Sequence, residues 1–70
     1  MFPAVLATEL KKTRLAAGMT QEQLASKAHV SREYVNYIER GKRQPTVAVF
    51  VRLCKAMKAY APDVLARSLN

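Results

Sequence analysis

Apolar residues recur at helical spacing in five separate blocks along this chain. Leu6, Leu10 and Ala17 mark the first, Leu24, Ala25 and Ala28 the second, and Val35 with Ile38 the third. Val47, Phe50, Leu53 and Met57 form the fourth, a stripe expected to lie in a core, and Val64, Leu65 and Leu69 the last. Start and stop signals between the blocks predict helices over about 3–17, 21–28, 32–40, 46–58 and 62–69, an all-α chain.

Those signals have physical causes. Pro3 suits an early helical position, where its missing amide costs nothing. Gly18 and Gly41 suit the left-handed residue that ends a helix. Met19 is expected to plug the core. Thr20 and Gln23 have the spacing of a capping box, while Ser31 and Thr46 precede further helices as N-caps. Asp63 sits in the first turn of the last helix, where the dipole favours an anion.

The segment 21–40 carries the most information. Two short helices flank His29-Val30-Ser31, a connection so tight that they must cross steeply. Ala25 is small enough to let them approach. His29 is expected at positive φ, which His tolerates better than most residues. At about 100° per residue, Val35 and Ile38 share one face of the second helix, with Glu33, Asn36, Tyr37 and Arg40 opposite and Arg32 and Tyr34 on the flanks. The outward surface thus predicts a cation, an anion, an amide and two exposed phenols, all able to hydrogen-bond to base edges.

Composition narrows the function classes. Seventy residues, half of them apolar, allow one domain with a small core. The single cysteine, Cys54, excludes a disulfide framework and points to a cytoplasmic chain, and its place beside the apolar stripe predicts a buried, inert thiol. The opening residues read as neither a signal peptide nor a membrane span. The net charge of +7 is spread as +2, +2 and +3 over residues 1–20, 21–45 and 46–70, which argues for a basic surface facing a polyanion rather than a basic tail. No nucleophile–base pair or metal cluster is evident. No enzyme activity, cofactor or metal is expected, and His29 has no second ligand nearby in sequence.

Taken together, Thr20-Gln21-x-x-Leu24-Ala25, the tight turn, the Ser31-capped helix, Ile38-Glu39-x-Gly41 and Pro45-Thr46 resemble the Xre/Cro, lambda-repressor-like helix-turn-helix family from about Leu6 to Met57. The resemblance extends to controllers of restriction-modification systems. It implies a compact five-helix bundle spanning 1–70 as one domain, with the helix 32–40 entering the DNA major groove. Two positions depart from the family pattern: His29 stands where Gly is usual, and Thr13 where Leu is usual. The resemblance also implies a structural ion pair between Arg14 and Glu39.

On this reading Arg32, Glu33, Tyr34 and Tyr37 read bases, and Gln21, Asn36, Arg40, Lys42 and Arg43 hold phosphates. A module this small needs a second copy for tight binding, and relatives usually bind palindromic sites as twofold homodimers. Val64, Leu65 and Leu69 are the expected dimer surface. The competing expectation is an antitoxin-type interaction module whose exposed tyrosines bind a toxin and which regulates its own expression.

Overall fold

A computed structural model describes residues 2–69, with side chains over 5–69; Met1 and Asn70 lie outside the described residues. Five helices follow in order: α1 (Phe2–Ala16), α2 (Gln21–Ala28), α3 (Arg32–Glu39), α4 (Val47–Ala56) and α5 (Ala61–Leu69), with no strand among the described residues. The chain is an all-α bundle. At eight residues, α2 and α3 are too short to persist alone in water, so packing must hold them. α1 lies against α5 and α3, α2 against α3 and α4, and α4 against α5. Every helix supplies the core, which runs through Leu6, Leu10, Leu24, Ala25, Ala28, Val35, Ile38, Leu53, Cys54, Met57 and Val64.

Helix starts are capped as the spacing predicts. The hydroxyls of Thr20, Ser31 and Thr46 accept from the backbone N–H groups of Gln23, Tyr34 and Val49. The Gln23 side chain returns the contact, accepting from Thr20 N at 2.9 Å.

The first four helices end alike. A left-handed residue follows each: Gly18 (φ 70°), His29 (φ 60°), Gly41 (φ 72°) and Lys58 (φ 55°). The next N–H then reaches back five residues: Met19 to Arg14 O, Val30 to Ala25 O, Lys42 to Tyr37 O and Ala59 to Cys54 O, at 2.8–3.2 Å. Met19, Val30 and Ala59 fold onto the core at these points, so three of the stops also seal it.

Several expectations need correction. α4 ends at Ala56 rather than 58, because the chain turns left-handed at Lys58, a residue with no turn preference of its own. Val47 opens α4 and is 81 % exposed, so the apolar stripe is core only from Phe50 onward. Ala17 is exposed past the end of α1, and Arg14 takes its place on the inward side. Val64 is fully buried and belongs to the core, not to a surface, whereas Leu65 and Leu69 are exposed. Thr13, where Leu is usual, lines an open surface hollow with Glu9, Lys12, Ala16 and Arg67. Its hydroxyl donates to Glu9 O at 2.7 Å and accepts from Arg67, which also pairs with Glu9 at 3.2 Å and so ties α5 to α1. Cys54 is buried, and burial pushes its thiol up to about 11, with nearby Arg67 opposing.

Candidate nucleic-acid interface

The unit α2–turn–α3 is fixed from three sides. His29 accepts the left-handed geometry of the α2 stop, and Val30 drops onto the core. Ala25 and Ala28 are buried where the helices approach, leaving no room for a larger side chain without separating them. On α3, Val35 and Ile38 point inward at 2 % exposure each. Arg32, Glu33 and Arg40 are therefore exposed, with Tyr37 at 43 %. The backbone then turns at Gly41, and Tyr37 O accepts from both Lys42 N and Arg43 N, holding the two exposed cations beside the end of α3.

The expected pair of exposed phenols is only half present. Tyr34 is half-buried and packs against the core, since its place on the flank of α3 turns the ring toward the apolar seam. Only Tyr37 projects freely.

Behind this face lies a buried polar chain. Arg14 Nε donates to Glu39 Oε2 at 2.7 Å, Arg14 Nη2 to Glu39 Oε1 at 3.0 Å, and Arg14 Nη1 to Met19 O at 2.7 Å. Glu39 Oε1 also accepts from Gln21 Nε2 at 3.1 Å, and Gln21 Oε1 accepts from Asn36 Nδ2 at 3.4 Å. No buried side-chain nitrogen or oxygen among the described residues lacks a partner, so the pair carries no stranded charge. One carboxylate thus joins α1, α2 and α3. Sequence reasoning misses the links to Gln21 and Asn36. Asn36 and Glu39 are three apart on α3, and that spacing is the available signal.

The arrangement offers donors from Arg32, Tyr37, Arg40, Lys42 and Arg43 around one acceptor, Glu33, on a convex helix. A short helix is narrow enough for the major groove of duplex DNA. Among the described residues, no group of three His, Cys, Asp or Glu gathers to hold a metal.

The helix-turn-helix family profile matches residues 10–65. The chain belongs to the helix-turn-helix family. A helix-turn-helix transcriptional regulator from Archaeoglobus fulgidus is 33% identical over 57 residues, spanning 81% of each chain. The control protein C.SmaI from Serratia marcescens is 32% identical over 63 residues, covering 90% of this chain and 75% of that one. Among solved structures, the clp gene regulator ClgR from C. glutamicum superposes with a TM-score of 0.92 at 28% identity, over 99% of this chain and 90% of its own. The restriction-modification controller C.AhdI from Aeromonas hydrophila gives 0.84 at 28% identity, over 87% and 92%. This helix-turn-helix chain is a DNA-binding transcription regulator of the Xre and controller-protein type, and its relatives are regulators rather than enzymes. Among the described residues no helix is long and apolar enough to cross a membrane.

Proposed function

We propose that the protein regulates transcription by binding a palindromic duplex site as a homodimer, with α3 in the major groove of each half-site. The carrying observation is the two-sided α3: Val35 and Ile38 locked inward, Arg32, Glu33, Tyr37 and Arg40 outward, and Glu39 pinned from behind by Arg14.

Arg32 lies at the N-terminal end of α3, which in a groove-docked helix comes nearest the bases. Its fork matches guanine O6 and N7. Glu33 accepts from cytosine N4 or orients a neighbouring cation. Tyr37 reaches bases or sugars, and Tyr34 contributes only through its phenol, its ring being anchored. Arg40, Lys42 and Arg43 hold phosphates and set the docking angle. Gln21 keeps its second amide N–H for a phosphate at the start of α2, with Glu39 orienting it. Asn36 keeps its second amide N–H for the same strand.

The dimer surface centres on Leu65 and Leu69, without Val64. Beside them lies a groove of about 160 Å³ lined by Leu6, Gln44, Pro45, Val47, Phe50 and Leu65. With exposed Val47 at its rim, this apolar groove is the surface a second copy would cover.

Selection of bound sequences from random duplex DNA tests the reading. An enriched palindrome with half-sites about one helical turn apart is expected. Binding that is insensitive to salt, with no sequence enriched, would instead favour a toxin-binding module.

A further inference from the structure

The recognition face uses Arg32, Arg40, Lys42 and Arg43, fewer than half of the chain's twelve Lys and Arg. A second group of exposed cations lies elsewhere. Arg52 Nε, on α4, donates to Ala28 O at 3.0 Å and so joins α4 to the C-terminal end of α2. Lys27 and His29 flank that carbonyl along the chain, and both are exposed. Lys55 follows Arg52 by three residues on the same side of α4, and Lys58 projects from the turn beyond it. No acidic residue occurs between Glu39 and Asp63, so α4 and the turn beyond it carry no carboxylate, while on α2 Glu22 lines the same surface hollow as Lys27.

The position of this group relative to the apolar groove gives it a direction. At about 100° per residue, Arg52 lies roughly 140–160° around α4 from Val47 and Phe50, which line the groove, and Lys55 roughly 80–140° from them. A second copy seated on the groove therefore leaves Lys27, Arg52, Lys55 and Lys58 on the outboard side of each protomer. Through the turn 29–31 this side runs directly into Arg32 at the start of α3. In a dimer on a palindrome, the DNA that continues past the operator lies outboard.

We propose that Lys27, Arg52, Lys55 and Lys58 form a second anion-binding face that grips the phosphate backbone of DNA flanking each half-site, beyond the bases that α3 reads. This rests on the operator-binding reading above. Lysine suits the role, because a point charge on a flexible stem holds phosphate without demanding a base sequence. The consequence is a footprint wider than the palindrome and an affinity that rises with duplex length.

The test measures affinity against salt for the full chain and a triple variant, Lys27→Gln, Lys55→Gln, Lys58→Asn. Arg52 is left in place because it holds Ala28 O, and Asn tolerates the left-handed geometry at 58. Two duplexes are used: the selected operator trimmed to its half-sites, and the same operator with about one helical turn of random sequence on each side. The wild type should bind the longer duplex more tightly and with a steeper salt slope. Each phosphate that the variant leaves unneutralised should make the slope shallower by about 0.9, so the variant should lose one or more units on the longer duplex and keep the wild-type slope on the trimmed one. Equal losses on both duplexes overturn the proposal, since the cations would then act on the operator itself. Unchanged binding on both also overturns it, leaving an acidic protein surface as the partner for this face. A wild-type chain that binds neither duplex overturns the operator reading, and this proposal with it.

Discussion

Arg14 and Glu39 grip one another across 25 residues of sequence, with their side chains only 8% and 3% exposed. Such a pair contributes less through attraction than through the penalty for breaking it, because a lone buried charge has no water. Arg14→Met or Glu39→Leu alone should cost roughly 3–5 kcal/mol. The double variant should lose clearly less than the sum, since it leaves no buried charge alone, although Met19 O and Gln21 Nε2 still lose their partners. Urea denaturation of the four proteins measures the coupling, and strict additivity would show that the pair is not a unit. Glu39→Leu should also weaken DNA binding beyond its effect on folding, because it releases Gln21.

The four left-handed helix stops make opposite demands on glycine. Gly18 and Gly41 have open space where a Cβ would stand, so Ala there meets only the local backbone penalty of about 1 kcal/mol. Lys58 already bears that penalty at φ 55°. Gly41→Ala should therefore lower the melting temperature, and Lys58→Gly should raise it by a few degrees. A lower melting temperature for Lys58→Gly would mean that the lysine makes contacts worth more than its strain.

Burial raises the Cys54 thiol to about 11 from an ordinary 9.0, with Arg67 opposing. The folded state keeps the proton longer than the unfolded state does. The resulting stabilisation is fully present below the unfolded pKa near 9 and is lost as pH rises through about 11. The stability difference between wild type and Cys54→Ala should be flat at neutral pH and shrink across that alkaline window. A difference that stays constant to pH 11 would place the thiol in water. Thiol-reactive dyes should label the native chain slowly and the urea-unfolded chain at once.

How much of this is legible in the sequence depends on whether a residue's role is local. Thr20, Ser31 and Thr46 cap helices through bonds three residues long, and His29 sits in a turn too tight for anything but a left-handed residue, so each is readable from its neighbours. Val35 and Ile38 follow from the helical period alone. Val64 and Val47 are misplaced by the same period for a different reason. Periodicity shows that residues share a face but not how far the neighbouring helix extends over it: α1 and α4 cover Val64, and nothing covers Val47 at the open end of α4. Lys58 carries no compositional mark of a left-handed turn. Gln21 is legible as the start of a helix, but its bond to Glu39 spans 18 residues and depends on how α2 and α3 cross.

Arg32 on α3 and Lys42 in the turn after it should differ in what they distinguish. Arg32→Ala should cost about 1–3 kcal/mol on the selected operator and relax preference at one base pair, with little change on random DNA. Lys42→Ala should weaken operator and random DNA alike and make the salt slope shallower by about one unit. Electrophoretic shift or anisotropy titrations at several salt concentrations separate the two behaviours. Equal losses on cognate and random DNA for Arg32→Ala would reassign it to the backbone.

Leu65 and Leu69 are four apart on α5 and exposed to 38% and 67%, beside a groove ending at Val47. Water-facing leucines on so small a chain keep their place most readily if a second copy covers them. Leu69→Asp should leave the core untouched, since Val64 and Ser68 carry the buried side of α5. It should therefore fold with a melting curve close to that of the wild type at low concentration. Sedimentation should show the wild type shifting to twice the monomer mass as concentration rises and the variant remaining monomeric. On DNA, the variant should bind a single half-site with nearly wild-type affinity but lose the steep concentration dependence on the full palindrome. Because two linked half-sites share one encounter, affinity for the whole operator should fall by 10²-fold or more, on the order expected for lost avidity. A variant that still dimerises would move the interface away from α5.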